Sequence, residues 1–168
     1  KISLINADIL DYEIKNDHEL IISNLPYNIS SQILAKISTM STSPDTLILM
    51  FQKEFAKRLL DEKLNSINSL IKCFYSIKLN FNVSKNCYRP IPKVDSSVLT
   101  FKKLKKKLLK IEEINKFIIF KRNLFSHKRK SLKNLLKKYE LKNNFNLNLR
   151  VEDLKLDELI RIFRATSS

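Results

Sequence analysis

The segment that most constrains the fold is I-I-S-N-L-P-Y-N-I-S-S-Q-I-L, residues 21–34. It begins with a short apolar run typical of a buried strand, passes through Asn24-Leu25-Pro26-Tyr27, and continues with apolar residues at helical spacing. Ligands of open α/β sheets bind beyond the carboxyl ends of the strands, where this corner lies. We therefore expect an α/β fold with its chemistry at residues 24–27.

Other apolar runs predict the rest of the sheet. We expect strands at residues 2–6, 20–23, 46–51, 76–83 and 97–101. The run at 20–23 is typical of a strand buried on both faces of a parallel sheet, while the alternation in 76–83 fits an antiparallel strand near an edge. Between the strands, Ser30 or Ser31 is expected to cap a helix with the apolar stripe Ile33, Ile37 and Met40. This order implies right-handed parallel crossovers.

Charge divides the chain into two unequal parts. The net charge is +15, with 32 Lys and Arg against 17 Asp and Glu, and most of the excess lies beyond residue 100. A basic connector precedes three apolar stripes at helical spacing: Ile111, Ile114, Ile118 and Phe125; Leu132, Leu135, Leu136 and Tyr139; Leu156, Leu159, Ile160 and Phe163. We predict a body at 1–104 and a small basic helical domain at 105–168 that binds a polyanion. Genome-wide lysine bias is the alternative, but it does not explain the asymmetry.

Several classes of site have no support in the composition. Cys73 and Cys87 fit neither a metal spacing nor a disulfide framework, and no metal site is predicted. No apolar run is long enough to span a bilayer, so we expect no membrane partner. We also expect a monomer and a cytoplasmic or organellar location. The chain has no glycine, so no glycine-rich phosphate loop lies in these residues.

The corner at residues 24–27 has a specific chemistry. Pro26 restricts Leu25 to an extended conformation, so the Leu25 carbonyl is not used by a helix, and the Asn24 side chain offers a second acceptor. Two acceptors suit the exocyclic amine of adenine, since accepting both protons directs the nitrogen lone pair at an electrophile. Tyr27 offers a face on which a flipped-out base can stack, worth on the order of 1–3 kcal/mol. The four residues alone leave open a plain strand-to-helix turn.

Resemblance over nearly the whole chain favours the chemical interpretation. The matching segments are Ile5–Leu10 (I-N-A-D-I-L), 22–31 (I-S-N-L-P-Y-N-I-S-S), 49–59 (L-M-F-Q-K-E-F-A-K-R-L), 88–98 (Y-R-P-I-P-K-V-D-S-S-V), 124–136 (L-F-S-H-K-R-K-S-L-K-N-L-L) and 150–154 (R-V-E-D-L). The chain resembles the ribosomal small-subunit RNA adenine dimethyltransferases. This resemblance implies a partial Rossmann-like body that uses S-adenosylmethionine, a small helical C-terminal domain, and N6,N6-dimethylation of adenine in small-subunit rRNA during ribosome biogenesis.

The resemblance also assigns roles to residues. Asn24, Leu25, Pro26 and Tyr27 would be catalytic. Asp8, Ile9 and Asn24 would contact the cofactor, with Asp8 on its adenine amine. Tyr27 and Tyr88 would stack on the target base, although Tyr88 is equally well explained as a core aromatic. The predicted RNA contacts are Lys121, Arg122, His127, Lys128, Arg129, Lys130 and Lys133.

The departures from the family leave alternatives open. The family's glycine-rich cofactor loop and ribose-binding acid are missing from the printed residues, so we expect this chain alone to bind S-adenosylmethionine poorly and to be inactive. One alternative is the large-subunit rRNA dimethyltransferases of antibiotic resistance. Another is a non-catalytic RNA- or DNA-binding relative of the mitochondrial transcription factor type. DNA adenine methyltransferases fit less well, since they more often carry proline in place of Leu25.

Overall fold

Four strands form a mixed sheet at the centre of the body. The computed structural model describes residues 2–15, 18–139, 141 and 145–166. The strands are β1 (Leu20–Asn24), β2 (Thr46–Gln52), β3 (Tyr75–Val83) and β4 (Ser96–Lys103). Their spatial order is β1-β2-β4-β3, with β1 parallel to β2 and β4 antiparallel to both β2 and β3. The predicted parallel pair and the predicted antiparallel edge strand are both present.

Helices flank the sheet and make up most of the second half. The body contains α1 (Ser30–Thr39), α2 (Lys53–Leu60) and α3 (Asn68–Ile71). Beyond β4 lie α4 (Ile114–Ser126), α5 (Leu132–Leu135) and α6 (Leu156–Thr166). Short 3-10 turns span Lys85–Cys87, Ile111–Glu113 and Val151–Asp153. No helix in the described parts of the chain has the length and apolarity needed to cross a bilayer.

The start of α1 differs from the prediction. Its N-cap is Ile29, and no side chain caps the helix. The hydroxyl of Ser30 instead donates backwards to the carbonyl of Tyr27, at 3.2 Å. The expectation that Ser30 or Ser31 caps this helix was wrong, because the turn after Pro26 places residue 29 at the cap position.

One face of the sheet carries the core of the body. Alternate residues of each strand lie on that face, as the two-residue period of a strand requires. The fully buried side chains there include Leu47, Leu49, Phe51, Leu99 and Phe101, and α1 contributes Ile33, Leu34 and Ile37. Because burial of a large apolar side chain is worth about 1.5–3 kcal/mol, this face is the main source of stability for the corner that it supports.

The opposite face of the sheet is open. Leu20 is 48% exposed, Ile22 68% and Phe81 58%. The prediction that strand 20–23 is buried on both faces was therefore wrong, since the described helices pack on one face of β1. The predicted strand at 2–6 is also absent, because these residues are exposed and pair with no strand among the described residues.

The helical half is packed against the body through a continuous core. Phe117, Phe120 and Phe163 form a buried aromatic cluster, with the Phe117 and Phe163 ring centroids 5.2 Å apart. Ile111 is 58% exposed because α4 begins three residues later, so the predicted stripe through Ile111 was misplaced. The buried apolar residues of both halves form one cluster. We propose that the boundary between the body and the basic helical domain lies between residues 104 and 105.

Candidate active site

The corner between β1 and α1 keeps two acceptors available. The Leu25 side chain is 5% exposed and anchors the turn, while Asn24 and Pro26 are exposed. Within the described residues, neither the side-chain amide of Asn24 nor the carbonyl of Leu25 has a hydrogen-bond partner. The turn resumes its own hydrogen bonds only at the Pro26 carbonyl, which accepts from the Ile29 N–H at 3.2 Å. The geometry therefore leaves the acceptor pair that the sequence predicts free for a ligand.

Tyr27 is held at two points. Its hydroxyl lies 2.6 Å from the hydroxyl of Ser96, the buried first residue of β4. Its carbonyl accepts the hydrogen bond from Ser30 at the start of α1. The aromatic ring, half-buried, is consequently fixed between the first turn of α1 and the sheet rather than free to rotate away.

Tyr88 approaches the corner from a different part of the chain. It lies in the loop between β3 and β4, and its hydroxyl donates to the sulfur of Met50 at 3.2 Å. Met50 is the register partner of Asn24 across the parallel pair, so the two side chains share the open face of the sheet. The Met50 contact therefore brings Tyr88 to the end of β1 that carries Asn24.

Asp95 fastens the loop that carries Tyr88. One carboxylate oxygen accepts the Lys85 N–H at 3.0 Å, and its backbone carbonyl accepts the Lys53 N–H at 3.0 Å. The Lys85 amide lowers the pKa of the Asp95 carboxyl, because the hydrogen bond favours its charged form. Asp95 thus joins the two ends of the proline-containing loop to each other and to the start of α2.

These elements enclose one cleft of about 430 Å³. Its lining residues are Asn24, Leu25, Pro26, Tyr27, Tyr88, Arg89, Pro90 and Pro92. The Arg89–Pro90 peptide bond is cis. The cleft has the size and mixture of aromatic and polar groups found in small-ligand sites. Half-burial of Tyr88 within the lining favours the base-covering role over that of a core aromatic.

Asp8 lies outside this cleft, in a tight turn. Its Oδ1 accepts the Leu10 N–H at 2.8 Å, and its backbone carbonyl accepts the N–H groups of Asp11 and Tyr12 at 3.1 and 2.7 Å. Short-range bonds of this kind are typical of an aspartate that begins a turn. Among the described residues, Oδ2 of Asp8 has no protein donor, so one carboxylate oxygen faces outward.

A second cleft of about 420 Å³ leads from the corner toward the helical half. Residues lining it include Tyr27, Ser31, Gln32, Gln52, Phe55, Arg58, Lys121 and Arg122. Tyr27 lines both clefts. Tyr27 therefore borders both the cleft at the predicted catalytic corner and a second cleft that is lined by Arg122 of the predicted RNA-binding half.

Six of the seven predicted RNA contacts are exposed. They form what we call the basic surface: Arg122, His127, Lys128, Arg129, Lys130 and Lys133. Nδ1 of His127 lies 2.9 Å from the Ser126 hydroxyl. Over the described residues, no three His, Cys, Asp or Glu side chains are grouped so that they could hold a metal ion.

Lys121 is not on the basic surface. It is 7% exposed, and its ammonium donates to the carbonyl of Ser66 at 2.6 Å and to the Ser66 hydroxyl at 3.2 Å. Burial, with a smaller contribution from the neighbouring Arg122 charge, lowers the pKa of Lys121 to about 8. Its position contradicts the predicted role as an RNA contact. Lys121 instead links α4 to the segment before α3.

Replacing Lys121 by methionine is expected to change how stability depends on pH. Because the folded pKa of about 8 lies below the ordinary 10.5, the folded state releases its proton first, and stability rises with pH between about 8 and 10.5. The difference corresponds to about 3 kcal/mol at most. Cys73 acts in the opposite direction, since burial raises its pKa to about 12 and stability falls above pH 9.

Subtracting the pH dependence of stability of Lys121→Met from that of the wild type gives the contribution of the lysine. In urea unfolding at pH 7, 8 and 9, we expect the free energy of unfolding of the wild type to increase relative to that of the variant as pH rises. A constant difference across this range would contradict a lowered pKa at Lys121. Lys116→Met, on the exposed side of the same helix, is the control and should leave a constant difference.

Several supporting residues were not predicted from the sequence. Ser96 fixes the Tyr27 hydroxyl, Met50 receives the Tyr88 hydroxyl, and Lys36 donates to three backbone carbonyls of residues 9–12. Ser96 and Met50 lie inside segments on which the family resemblance rests, which was an available signal. Lys36 gave no signal, because a single helix lysine is common everywhere.

Comparison with known proteins places the chain in a family. The family described as "Ribosomal RNA adenine dimethylase" matches residues 1–167. The "Ribosomal RNA small subunit methyltransferase A" of Mycoplasma mycoides is 40% identical over 185 residues, covering 96% of this chain and 69% of the relative. The protein of the same name from Mycoplasmopsis pulmonis is 35% identical, covering 95% of this chain and 68% of the relative.

A solved structure supports the same fold. A dimethyladenosine transferase from Plasmodium falciparum superposes with a TM-score of 0.81 at 21% identity, covering 97% of this chain and 72% of that chain. At that level of identity the likeness establishes the Rossmann-like methyltransferase fold. The match of the family over almost every residue, together with relatives at 35–40% identity, establishes more: this chain belongs to the ribosomal RNA adenine dimethylase family.

Proposed function

We propose that the protein transfers methyl groups to N6 of adenine in small-subunit ribosomal RNA, with S-adenosylmethionine as the methyl donor. The observation that carries this proposal is the cleft in which two unpaired acceptors, from Asn24 and Leu25, lie beside the rings of Tyr27 and Tyr88. Relatives that share up to 40% identity are named for the small subunit, which favours that RNA over the large-subunit alternative.

The acceptor pair orients the target amine. The Asn24 side-chain oxygen and the Leu25 carbonyl each accept one N–H of the adenine amino group. With both protons engaged, the nitrogen becomes more tetrahedral and its lone pair points away from the ring. Pro26 and the buried Leu25 side chain already hold the Leu25 carbonyl in place, so this acceptor needs little reorganisation during transfer.

The two tyrosines hold the base. Tyr27 stacks on one face of an extruded adenine, and Tyr88 covers the other. Stacking is worth on the order of 1–3 kcal/mol per base and compensates part of the cost of removing the base from its helix. The sandwiched ring also excludes water from the amine, which strengthens its hydrogen bonds to the two acceptors.

Asp8 and Ile9 fit one edge of the methyl donor. The outward Oδ2 of Asp8 is an acceptor suited to the cofactor's adenine amine, and the half-buried Ile9 offers an apolar contact beside it. In this proposal Asn24 contacts both the methyl donor and the target amine. The bound cofactor supplies a methyl group on a sulfonium centre, and the residues described here orient the amine that accepts it.

The basic surface positions the RNA. Its five Lys and Arg side chains are suited to phosphate contacts, which fix register and orientation without reading sequence. The cleft lined by Arg58 and Arg122 continues this path to Tyr27. We propose the small-subunit rRNA, within the assembling particle, as the partner bound along this path.

A methylation assay tests the proposal. The full protein is incubated with tritiated S-adenosylmethionine and unmodified small-subunit rRNA or particles, and the digested nucleosides are resolved by mass spectrometry. N6,N6-dimethyladenosine is the expected product. Label that appears only in large-subunit rRNA would favour the antibiotic-resistance branch, and RNA binding without any transfer would favour a non-catalytic relative.

Neutralising two lysines of the basic surface should weaken RNA binding in a salt-dependent way. Each lost phosphate contact lowers the slope of log K against log salt by about 0.7–0.9, so Lys130→Gln with Lys133→Gln should lower the slope by roughly 1.5. Filter binding from 50 to 300 mM KCl measures it. The double change Lys78→Gln with Lys155→Gln, both exposed elsewhere, is the charge-matched control. Equal slopes of log K against log salt in the two double variants would show that the RNA does not contact the basic surface.

A further inference from the structure

Lys36 is bound in an unusual way for a helix lysine. Its ammonium donates to three backbone carbonyls from a segment more than twenty residues upstream: Ile9 at 3.2 Å, Leu10 at 2.5 Å and Tyr12 at 2.7 Å. An ammonium has three N–H groups, so these carbonyls account for its whole donor capacity. Hydrogen bonds from a charged donor are among the stronger ones in proteins.

The carbonyls that Lys36 binds are coupled to Asp8. The Ile9 carbonyl belongs to the peptide unit whose N–H, on Leu10, donates to Oδ1 of Asp8. The Leu10 carbonyl belongs to the unit whose N–H, on Asp11, donates to the Asp8 backbone carbonyl. Each peptide plane therefore has the ammonium on its oxygen side and Asp8 on its hydrogen side. This alignment polarises both peptide units and strengthens the bonds that orient Asp8.

Lys36 also connects this turn to the catalytic corner. It lies in α1, which begins at Ser30, and Ser30 donates to the Tyr27 carbonyl. The helix is therefore bonded at its first residue to the target-base corner and, two turns later, to the Asp8 turn. Among the described residues, Asp8 is exposed, and the hydrogen bonds that it accepts are those from the N–H groups of Leu10, Asp11 and Tyr12.

We infer that Lys36 is a positioning residue for the methyl donor: by holding the carbonyls of Ile9, Leu10 and Tyr12, it sets the Asp8 carboxylate relative to the Asn24 corner. This inference rests on the proposed function, in which Asp8 accepts the adenine amine of S-adenosylmethionine. Lys36 itself contacts neither S-adenosylmethionine nor RNA in this inference. Its loss should thus affect donor binding and leave RNA binding alone.

The test compares Lys36→Met, which keeps the aliphatic stem, with Lys36→Arg, which keeps a charged multiple donor. Both are made in the full protein, and Lys57→Met on the exposed face of α2 is the control. Amide hydrogen exchange reports the turn directly through the Asp11 and Tyr12 N–H groups, which donate to Asp8. Calorimetry with S-adenosylmethionine and filter binding with RNA report the two substrates separately.

In Lys36→Met we expect about tenfold faster exchange at Asp11 and Tyr12 and about tenfold weaker S-adenosylmethionine binding, in line with the loss of charge-assisted hydrogen bonds. RNA affinity and the rate at saturating donor should stay within about twofold, and Lys36→Arg should recover most of the donor affinity.

Two outcomes would overturn the inference: unchanged exchange, or faster exchange with unchanged donor affinity, which would make Lys36 merely structural. A wild-type protein that binds no S-adenosylmethionine would instead refute the proposed function itself, and the exchange data distinguish the two failures.

Discussion

Asn24→Ala should lower the rate of methyl transfer on the order of 10²–10³-fold while the protein still folds and binds RNA. Removing one preorganised hydrogen-bonding group from a reacting centre has this scale of effect. The Asn24 side chain is exposed and makes no hydrogen bond within the described residues, so its truncation removes no structural contact. The loss should appear in kcat, because the two hydrogen bonds matter most when the amine attacks.

Single-turnover methylation with saturating donor and RNA measures this loss directly. Asn115→Ala, on the exposed face of α4, is the matched control and should retain wild-type activity. A variant at position 24 that keeps more than a tenth of the wild-type rate would mean that the Leu25 carbonyl alone orients the amine. The two-acceptor mechanism would then be abandoned.

Tyr27→Ala and Tyr27→Phe should differ sharply. Removing the ring eliminates stacking worth on the order of 1–3 kcal/mol, so kcat/KM should fall about 5- to 150-fold in the alanine variant. Phenylalanine keeps the stacking face and loses the hydrogen bond to Ser96, so it should cost much less. Ser96→Ala removes the same hydrogen bond from the other side and should resemble Tyr27→Phe.

The comparison separates two roles for the ring. If the phenylalanine and alanine variants were equally impaired, the Tyr27 hydroxyl rather than its face would be the important group, and Ser96→Ala should then be equally damaging. If neither variant lost activity, the adenine would be held without Tyr27. Fluorescence of a 2-aminopurine placed at the target position reports stacking independently of transfer.

Local sequence patterns were most successful where burial and periodicity decide the structure. The parallel pairing of β1 and β2 and the antiparallel edge position of β3 follow from apolar runs and alternation. The Asn24–Tyr27 corner was also predictable, because Pro26 dictates the local backbone whatever surrounds it. These features depend on residues close together in the chain.

Predictions failed where a distant partner decides the outcome. Residues 2–6 have strand-like composition, but a strand forms only with a neighbour to share its hydrogen bonds. Lys121 belongs to a cationic cluster in the sequence, yet the packing of α4 against Ser66 buries it. Lys36 was overlooked because its three acceptors lie 24–27 residues upstream. Long-range contacts of this kind leave no trace in local spacing.

The side chain and the backbone carbonyl of Leu25 have different roles, and this difference has an evolutionary consequence. Its side chain is buried in the core, while its backbone carbonyl has no hydrogen-bond partner among the described residues and the residue lines the cleft. Every amino acid carries that carbonyl, so no substitution can remove the backbone hydrogen-bond acceptor at this position. Selection at residue 25 therefore acts on the volume and apolarity of the side chain, whereas selection at residues 24 and 27 acts on chemical identity. We therefore expect apolar substitutions at position 25 to be tolerated better than substitutions of Asn24 or Tyr27.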